Sequence, residues 1–446
     1  MSKIAGFFTE LMRRYLPDPF VFAIGLTLLT MALAVTVQGQ AAPAVIVSWG
    51  KGFWNLLAFT TQMAVILAMG YVLATAPFTD RMLDRIVSAV HSPRTAVIVA
   101  TLVGGIGSYL NWGFGLVIGG IIARKLALKV RGVHYPLIIA AAYSGFTLYG
   151  LGLSASIPVL ISTPGHPMEK LMGVIPLSET IFSTPMLLTS LAVIVTLPLL
   201  NAWLHPRNPA DVLEIRRDQA PAKAETGSAH SMGGENTLAA RLNNSRILSL
   251  AIGLCGMAYA LIYFTQGGSL DLNLINFLIL FAGVLLLGTP VNYVAKLNEG
   301  IKTISGIILQ YPFYAGIMAI MAGSGLVDTI SRVFVEIATP QTLPFWGLLS
   351  SFVINFFAPS GGGHWMIQGP FMVDAAKAIN SSVSQTSMSV MLGNAWNDLV
   401  QPFWILPALA LSKLNLKDVM GYTVIMMFWV GLIYIAALLL WGAQIA

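Results

Sequence analysis

Residues 96–131 read AVIVATLVGGIGSYLNWGFGLVIGGIIARKLALKVR, and how this stretch meets a membrane decides the fold. It is apolar from Ala96 to Ile122 and closes on Arg124, Lys125, Lys129 and Arg131; Arg81, Asp84, Arg85, His91 and Arg94 precede it. Basic residues beside membrane spans collect on the cytoplasmic side. One crossing cannot begin and end on the same side, and about 27 apolar residues are too few for two crossings of roughly 20 residues each. The reading that fits is a re-entrant hairpin over about 95–128, turning back at Asn111-Trp112-Gly113-Phe114-Gly115.

Composition agrees with a membrane solvent. Apolar residues make up 56% of the 446 and charged residues 9%, far from soluble usage. Apolar runs long enough to span recur at Phe20 to Val37, Phe53 to Thr75, Thr180 to Leu204, Arg246 to Phe264, Leu272 to Leu287 and Val419 to Trp441. The expected fold class is therefore an all-α polytopic membrane protein. Met1 to Tyr15 is amphipathic, and the run after Pro17 and Pro19 lacks a cleavage-like end, so the first span is expected to be retained. The single cysteine, Cys255, cannot form an intramolecular disulfide and is expected to be inert packing. The basic residues lie in short loops, where they set orientation; nucleic-acid binding is not expected.

Loop charge gives a topology. Arg13 and Arg14 put the N-terminus in the cytoplasm. After the hairpin, a helix over about 135–163 crosses outward, broken by Ser144, Gly145, Gly150, Gly152, Ser154, Ser156 and Pro158. Residues 1–204 form the first membrane repeat, and 205–245, polar and charged, a cytoplasmic linker. Residues 246–446 hold an extra span and a second repeat at an offset of roughly 248 residues, the pattern of inverted-repeat carriers. There Asn111 to Gly115 falls on Pro359-Ser360-Gly361-Gly362-Gly363, in a second hairpin over about 343–380. The first broken helix falls on Gly393 to Pro402, in one over about 386–412. The extra span inverts the second copy, giving about nine crossings, two opposed re-entrant hairpins and an external C-terminus.

Unpaired backbone in hydrocarbon costs several kcal/mol per group, so broken helices and hairpin tips survive only around a cavity. The candidate substrate-binding residues are Asn111, Gly113, Gly115, Ser360, Gly361, Gly362, Gly363, His364, Asn394 and Asn397. The glycines read either as a close approach for a ligand or as helix packing. His364 reads as a titratable ligand or as a structural hydrogen bond. Asp398, an acid within a span, is with His364 the candidate ion-coupling residue, for H+ or for a Na+ held near Asn394 and Asp398; its structural alternative is to cap the second half-helix. Tyr143, Ser144, Thr147, Ser154 and Ser156 are weaker candidates, and His166 is expected to be solvated. No cofactor is expected. No HExxH, GxSxG or P-loop motif supports an enzyme or an ATP-driven pump.

Leu16-Pro17-Asp18-Pro19, Gly52 to Phe59, Asn111 to Leu116, Pro359 to Trp365 and Gln401-Pro402-Phe403-Trp404 together resemble the AtoE-type short-chain fatty acid transporters of bacterial inner membranes. The resemblance covers nearly the whole chain outside the linker. It implies uptake of a small carboxylate such as acetoacetate or butyrate, within the wider ion-transporter superfamily. It also implies a homodimer in the lipid bilayer and an elevator-like movement of the hairpin domain. The Ser-Asn-Thr tip motif of that superfamily's dicarboxylate carriers is missing, which puts their sodium sites in doubt here. A carrier or exchanger for another organic anion or an amino acid is the alternative.

Overall fold

The computed structural model describes residues 19–215, 237–401, 404–405, 409 and 412–443. Met1 to Asp18, most of the predicted linker, and Pro402 and Phe403 of the last sequence motif lie outside the described residues. Every regular element among those described is helical, as apolar runs must be if their backbone groups are to pair without water.

The first half runs α1 (Pro19–Thr36), α2 (Ala42–Gly52), α3 (Leu57–Ala74), α4 (Pro77–Ser88), α5 (Pro93–Leu110), α6 (Trp112–Lys129), α7 (Tyr135–Ser144), α8 (Ser156–Ile161) and α9 (Thr184–Trp203). The second runs α10 (Arg246–Thr265), α11 (Leu272–Leu287), α12 (Pro290–Ile301), α13 (Ser305–Ser324), α14 (Leu326–Ile337), α15 (Leu343–Ile354), α16 (Gly361–Ala378), α17 (Val383–Asp398) and α18 (Leu416–Ala443). Proline in the first turn opens α2, α4, α5, α7, α9, α12 and α15, where its missing N–H costs nothing. Helix order in 19–161 recurs in 272–398 at close to the offset seen in the motifs, with α10 ahead of the second series.

By length and composition, seven of the described helical segments can cross a bilayer: α3, α5, the α7–α8 segment, α9, α10, α13 and α18. Phe20–Thr36, α11 and α15 are apolar but shorter. The outer faces carry large apolar side chains such as Trp203, Ile247 and Leu261, as a lipid-facing surface requires. Cys255 is on this surface: α10 turns it outward, so it is exposed rather than packed inside the protein.

The two predicted hairpins differ. In the first, α5 and α6 pack along their length about the single extended residue Asn111. A methyl on Gly115 would lie 2.1 Å from Ser108 Oγ, and one on Gly107 would lie 2.5 Å from Ile118. The second pair, α15 and α16, barely touch each other; α15 packs instead on α17. The reason is local: positions 104, 105 and 107 are glycine, whereas the offset positions carry Phe352, Val353 and Asn355.

Polar contacts hold the base of the first hairpin. Lys125 Nζ bridges Asp80 and Asp84 of α4 at 2.7 and 2.5 Å, and Lys129 Nζ donates to the Val87 and Ser88 carbonyls. The start of the predicted linker is docked. Tyr135 N–H donates to the Leu213 carbonyl, Leu213 N–H to His134 Nδ1, and Gly132 N–H to Glu214. His134 also meets Tyr422 of α18 through Nε2, at 3.0 Å. His166, expected to be solvated, is buried: its Nδ1 accepts from Met168 N–H and its Nε2 lies 2.9 Å from the Gly173 carbonyl, closing the loop on itself.

Burial, and then the neighbouring His205, lower the His134 pKa from 6.5 to about 4, against a smaller upward push from the Asp211 backbone. The unfolded chain protonates at the ordinary value while the folded chain stays neutral, so stability is lost as pH falls from 6.5 towards 4. The expected outcome is a Tm, read by intrinsic fluorescence, that drops over this window in the wild type and drops less in His134→Gln.

Candidate functional site

The two interruptions meet at the centre of the protein. The first lies between α7 and α8, where a 3-10 turn (Gly145–Leu151) gives way to extended backbone. It is tied to the first hairpin tip: Trp112 N–H donates to Ser154 Oγ at 2.8 Å, and Leu153 N–H to the Tyr109 carbonyl at 2.7 Å. Gly152 is required there, since a methyl would lie 2.2 Å from the Tyr109 carbonyl oxygen. The second interruption follows α17. Asn394, Asn397 and Asp398 occupy the last helical turns before it, so Asp398 sits at a helix C-terminus and not at the N-cap of a following half-helix.

A helix end leaves carbonyls without partners, and at the end of α17 side chains supply them. Asn355 Nδ2 donates to the Asn394 carbonyl, Thr147 Oγ1 to that of Ala395, and the Tyr143 hydroxyl to that of Asp398. Gln401 Nε2 reaches back to the Asn355 carbonyl at 3.1 Å. Asn355 is the hub. Its Nδ2, with two hydrogens to share, also lies 3.0 Å from Asn397 Oδ1 and 2.7 Å from Asp398 Oδ1, and its Oδ1 accepts from Asn394 Nδ2. The Tyr149 hydroxyl stands between Asn394 Oδ1 at 2.5 Å and Asp398 Oδ2 at 2.7 Å. All of these groups are buried.

His364 extends the network. Gln368 Nε2 donates to the Gly347 carbonyl and to Ser350, which turns Gln368 Oε1 towards His364 Nε2, 2.5 Å away. The proton of the neutral ring therefore sits on Nε2, and Nδ1 accepts from Asn394 Nδ2 at 3.4 Å. Ser351 also approaches Nε2, at 3.3 Å. The imidazole is thus a fully partnered link between Asn394 and Gln368.

Beside the network lies a cavity of about 20 Å³, room for roughly one water and far below the roughly 300 Å³ of an open ligand cleft. Its polar wall is Tyr149, Ser156, Tyr311, Ser360 and Gly361; Met63, Trp112, Phe146, Ile307 and Trp404 form the apolar wall. Ser360 Oγ donates to the Tyr311 hydroxyl at 2.8 Å. Ser360 makes no side-chain cap on α16, and Gly361, the first residue of that helix, lines the cavity, so the positive end of α16 lies at its wall.

The predicted residues divide between network, cavity and packing. Asn394, Asn397, Asp398 and His364 share one network, and Ser360 and Gly361 line the cavity. Gly362 and Gly363 pack against Phe59 and Tyr314, where added methyls would approach to 2.3 Å. Asn111 caps α6, its Oδ1 accepting from Phe114 N–H at 2.8 Å while its Nδ2 reaches the Ile66 carbonyl. Gly113 packs against Leu67 and Gly115 against Ser108, both away from the cavity lining. Asn355, Tyr149, Gln368 and Tyr311 were not singled out from the sequence. A lone amide four residues before Pro359, at the end of an apolar run, was the available signal for Asn355.

A multi-pass helical protein with a central cavity at two helix interruptions is built as a membrane transporter. The model of the short chain fatty acid transporter family matches residues 1–441. A relative from Escherichia coli (strain K12), named "Putative short-chain fatty acid transporter", is 40% identical over 99% of this chain and 100% of its own length. A relative of the same name from Haemophilus influenzae is 36% identical over 98% of this chain and 99% of its own. The crystal structure of the Alcanivorax borkumensis YdaH transporter, described as having an unusual topology, shares the fold with a TM-score of 0.61 at 14% identity, covering 96% of this chain and 99% of that one. The chain belongs to the short-chain fatty acid transporter family, and it is a transporter rather than an enzyme.

Because Asn355 serves four buried groups, Asn355→Ala orphans several at once, at about 1–3 kcal/mol each. A markedly lowered Tm in lipid nanodiscs is expected. Gly25→Ala is the control: no atom lies within 4 Å of the added methyl, so its Tm is expected to be unchanged or raised.

Proposed function

We propose that the chain is a secondary carrier that moves short monocarboxylates such as acetoacetate or butyrate across the bacterial inner membrane, coupled to H+ or Na+. The observation that carries this reading is the two-sided cavity. The α16 amide end and the Tyr311 hydroxyl, which accepts from Ser360 and keeps its own hydrogen, offer donors to a carboxylate, and Met63, Trp112, Phe146 and Ile307 offer a short apolar wall to an alkyl tail. None of the described lining residues carries a carboxylate, so an amino acid's ammonium group meets no counter-charge among them; this favours a simple acid over the amino-acid alternative.

The cavity holds less space than a four-carbon acid needs, so in this reading loading requires movement of the hairpin tips. An elevator-like shift of α5 to α8 and α15 to α17 against the remaining helices, within a homodimer, is our reading of how access alternates. In it the two helix pairs are re-entrant hairpins of opposed orientation, the N-terminus is cytoplasmic and the C-terminus periplasmic. The matching helix order of the two halves supports the inverted repeat.

The test is uptake of radiolabelled butyrate and acetoacetate into proteoliposomes under separately imposed H+ and Na+ gradients. Saturable uptake driven by one gradient, with gradient-driven accumulation lost in Asp398→Asn, is expected; indifference to both gradients would sink the carrier reading. Phe146→Ala removes part of the apolar wall and is expected to shift the preference between butyrate and hexanoate towards the longer acid by about tenfold or more, read by competition.

A further inference from the structure

The hydrogens around Tyr149 can be counted. Its hydroxyl has one hydrogen and two acceptors within reach, Asn394 Oδ1 at 2.5 Å and Asp398 Oδ2 at 2.7 Å. The amide orientations that make Asn394 an acceptor here are anchored on backbone. Asn397 Nδ2 donates to the Phe352 carbonyl, which turns Asn397 Oδ1 to Asn355. Asn355 Nδ2 faces that oxygen, the Asn394 carbonyl and Asp398 Oδ1, so Asn355 Oδ1 is left to receive the Asn394 amide. Asn394 must then show its own oxygen to Tyr149.

If Asp398 is ionised, Tyr149 satisfies one acceptor, and the other short oxygen–oxygen approach holds no hydrogen. Two sets of lone pairs then face each other in a buried site, where an unmet polar contact is most costly. If Asp398 is protonated, its Oδ2–H donates to the Tyr149 oxygen and the Tyr149 hydrogen goes to Asn394. Both short oxygen–oxygen approaches of Tyr149 then hold a hydrogen. We infer that Asp398 carries a proton in this closed conformation, and that Tyr149, which also lines the cavity, is the positioning residue linking that proton to the bound carboxylate.

The inference rests on the carrier reading above and names its coupling ion as H+. A sodium ion would bring no hydrogen to the Tyr149 contact. It would also find the carbonyls of Asn394, Ala395 and Asp398 already taken by Asn355, Thr147 and Tyr143. The titratable groups around Asp398 are Tyr143 and Tyr149, with Tyr434 beyond Thr147 and His364 beyond Asn355. Its partners are thus neutral hydrogen-bond donors, and the described Lys–Asp and Lys–Glu pairs lie elsewhere, at Lys125 and Lys296. The proton is taken from water on one side and released on the other, and no covalent bond of the substrate changes.

Infrared difference spectroscopy of the full-length protein in lipid reads the proton directly. A protonated-carboxyl carbonyl band at neutral pH is expected, shifted in D2O, absent in Asp398→Asn and unaffected by NaCl in place of KCl. In Tyr149→Phe the band is expected to move to higher frequency, because the carboxyl loses its acceptor; this second readout holds even if Asp398→Asn does not fold. No such band in the wild type, its survival in Asp398→Asn, or its disappearance with Na+ would overturn the assignment. Butyrate uptake by the same preparation separates the two ideas: the band without uptake sinks the carrier reading alone, and uptake without the band sinks the proton on Asp398 alone.

Discussion

Backbone that leaves a helix where no water can reach it must find a partner for every N–H and C=O, and this protein leaves the helix twice at its centre. Much of its internal polar structure follows from that constraint. At the first interruption the Tyr109 carbonyl of the adjacent hairpin accepts from Leu153 N–H, and Ser154 in turn accepts from the Trp112 N–H at that hairpin's tip. At the second they are Asn355, Thr147 and Tyr143, whose donors cover the exposed carbonyls of α17. The hairpin ends and the first broken helix therefore cover the interruptions together, and to move Tyr109 or Asn355 is to uncover part of one. A ligand with its own acceptors can take over only where such a cover parts.

How far the sequence could be read follows from which features are local. The turn at Asn111 was legible because charge marks the base and a polar residue the tip, and α5 and α6 meet there. The second helix pair was placed by offset alone; what the offset could not convey is that Phe352 and Val353 stand where the first pair has glycines, and that α15 packs on α17 instead of α16. Asp398, His364, Asn394 and Asn397 were legible as polar residues in apolar runs, and they do meet. Asn355 and Tyr149 were not, because their importance lies in whom they face across the fold. Tyr149 reads as one more aromatic until Asp398, 249 residues away, is set beside it. The reverse error concerns glycine: a run of three looks like room for a ligand, yet Phe59 and Tyr314 fill the space beside two of them.

The halves are alike in helix order and unlike in chemistry. The first hairpin is closed by small residues, and its tip asparagine is spent on capping α6. The second is open, and the space between its arms and α17 is filled by the carboxamides of Asn355, Asn394, Gln368 and Asn397, the His364 ring and the Asp398 carboxyl. One half thus supplies a stiff wall, and the other the groups able to change hydrogen-bond partners.

Thr147 Oγ1 lies 3.3 Å from the Ala395 carbonyl, and these two positions are 248 residues apart, close to the spacing at which the helix order recurs. Around that point the neighbours exchange roles: Tyr143 reaches Asp398, and Met391, one offset from Tyr143, lies against Gly150, one offset from Asp398. A chain that touches itself at matching positions has there its own centre of balance. Elsewhere a substitution alters one half and leaves the other as a reference. At this crossing the altered side chain and its counterpart are each other's surroundings, so neither half can drift without the other registering it.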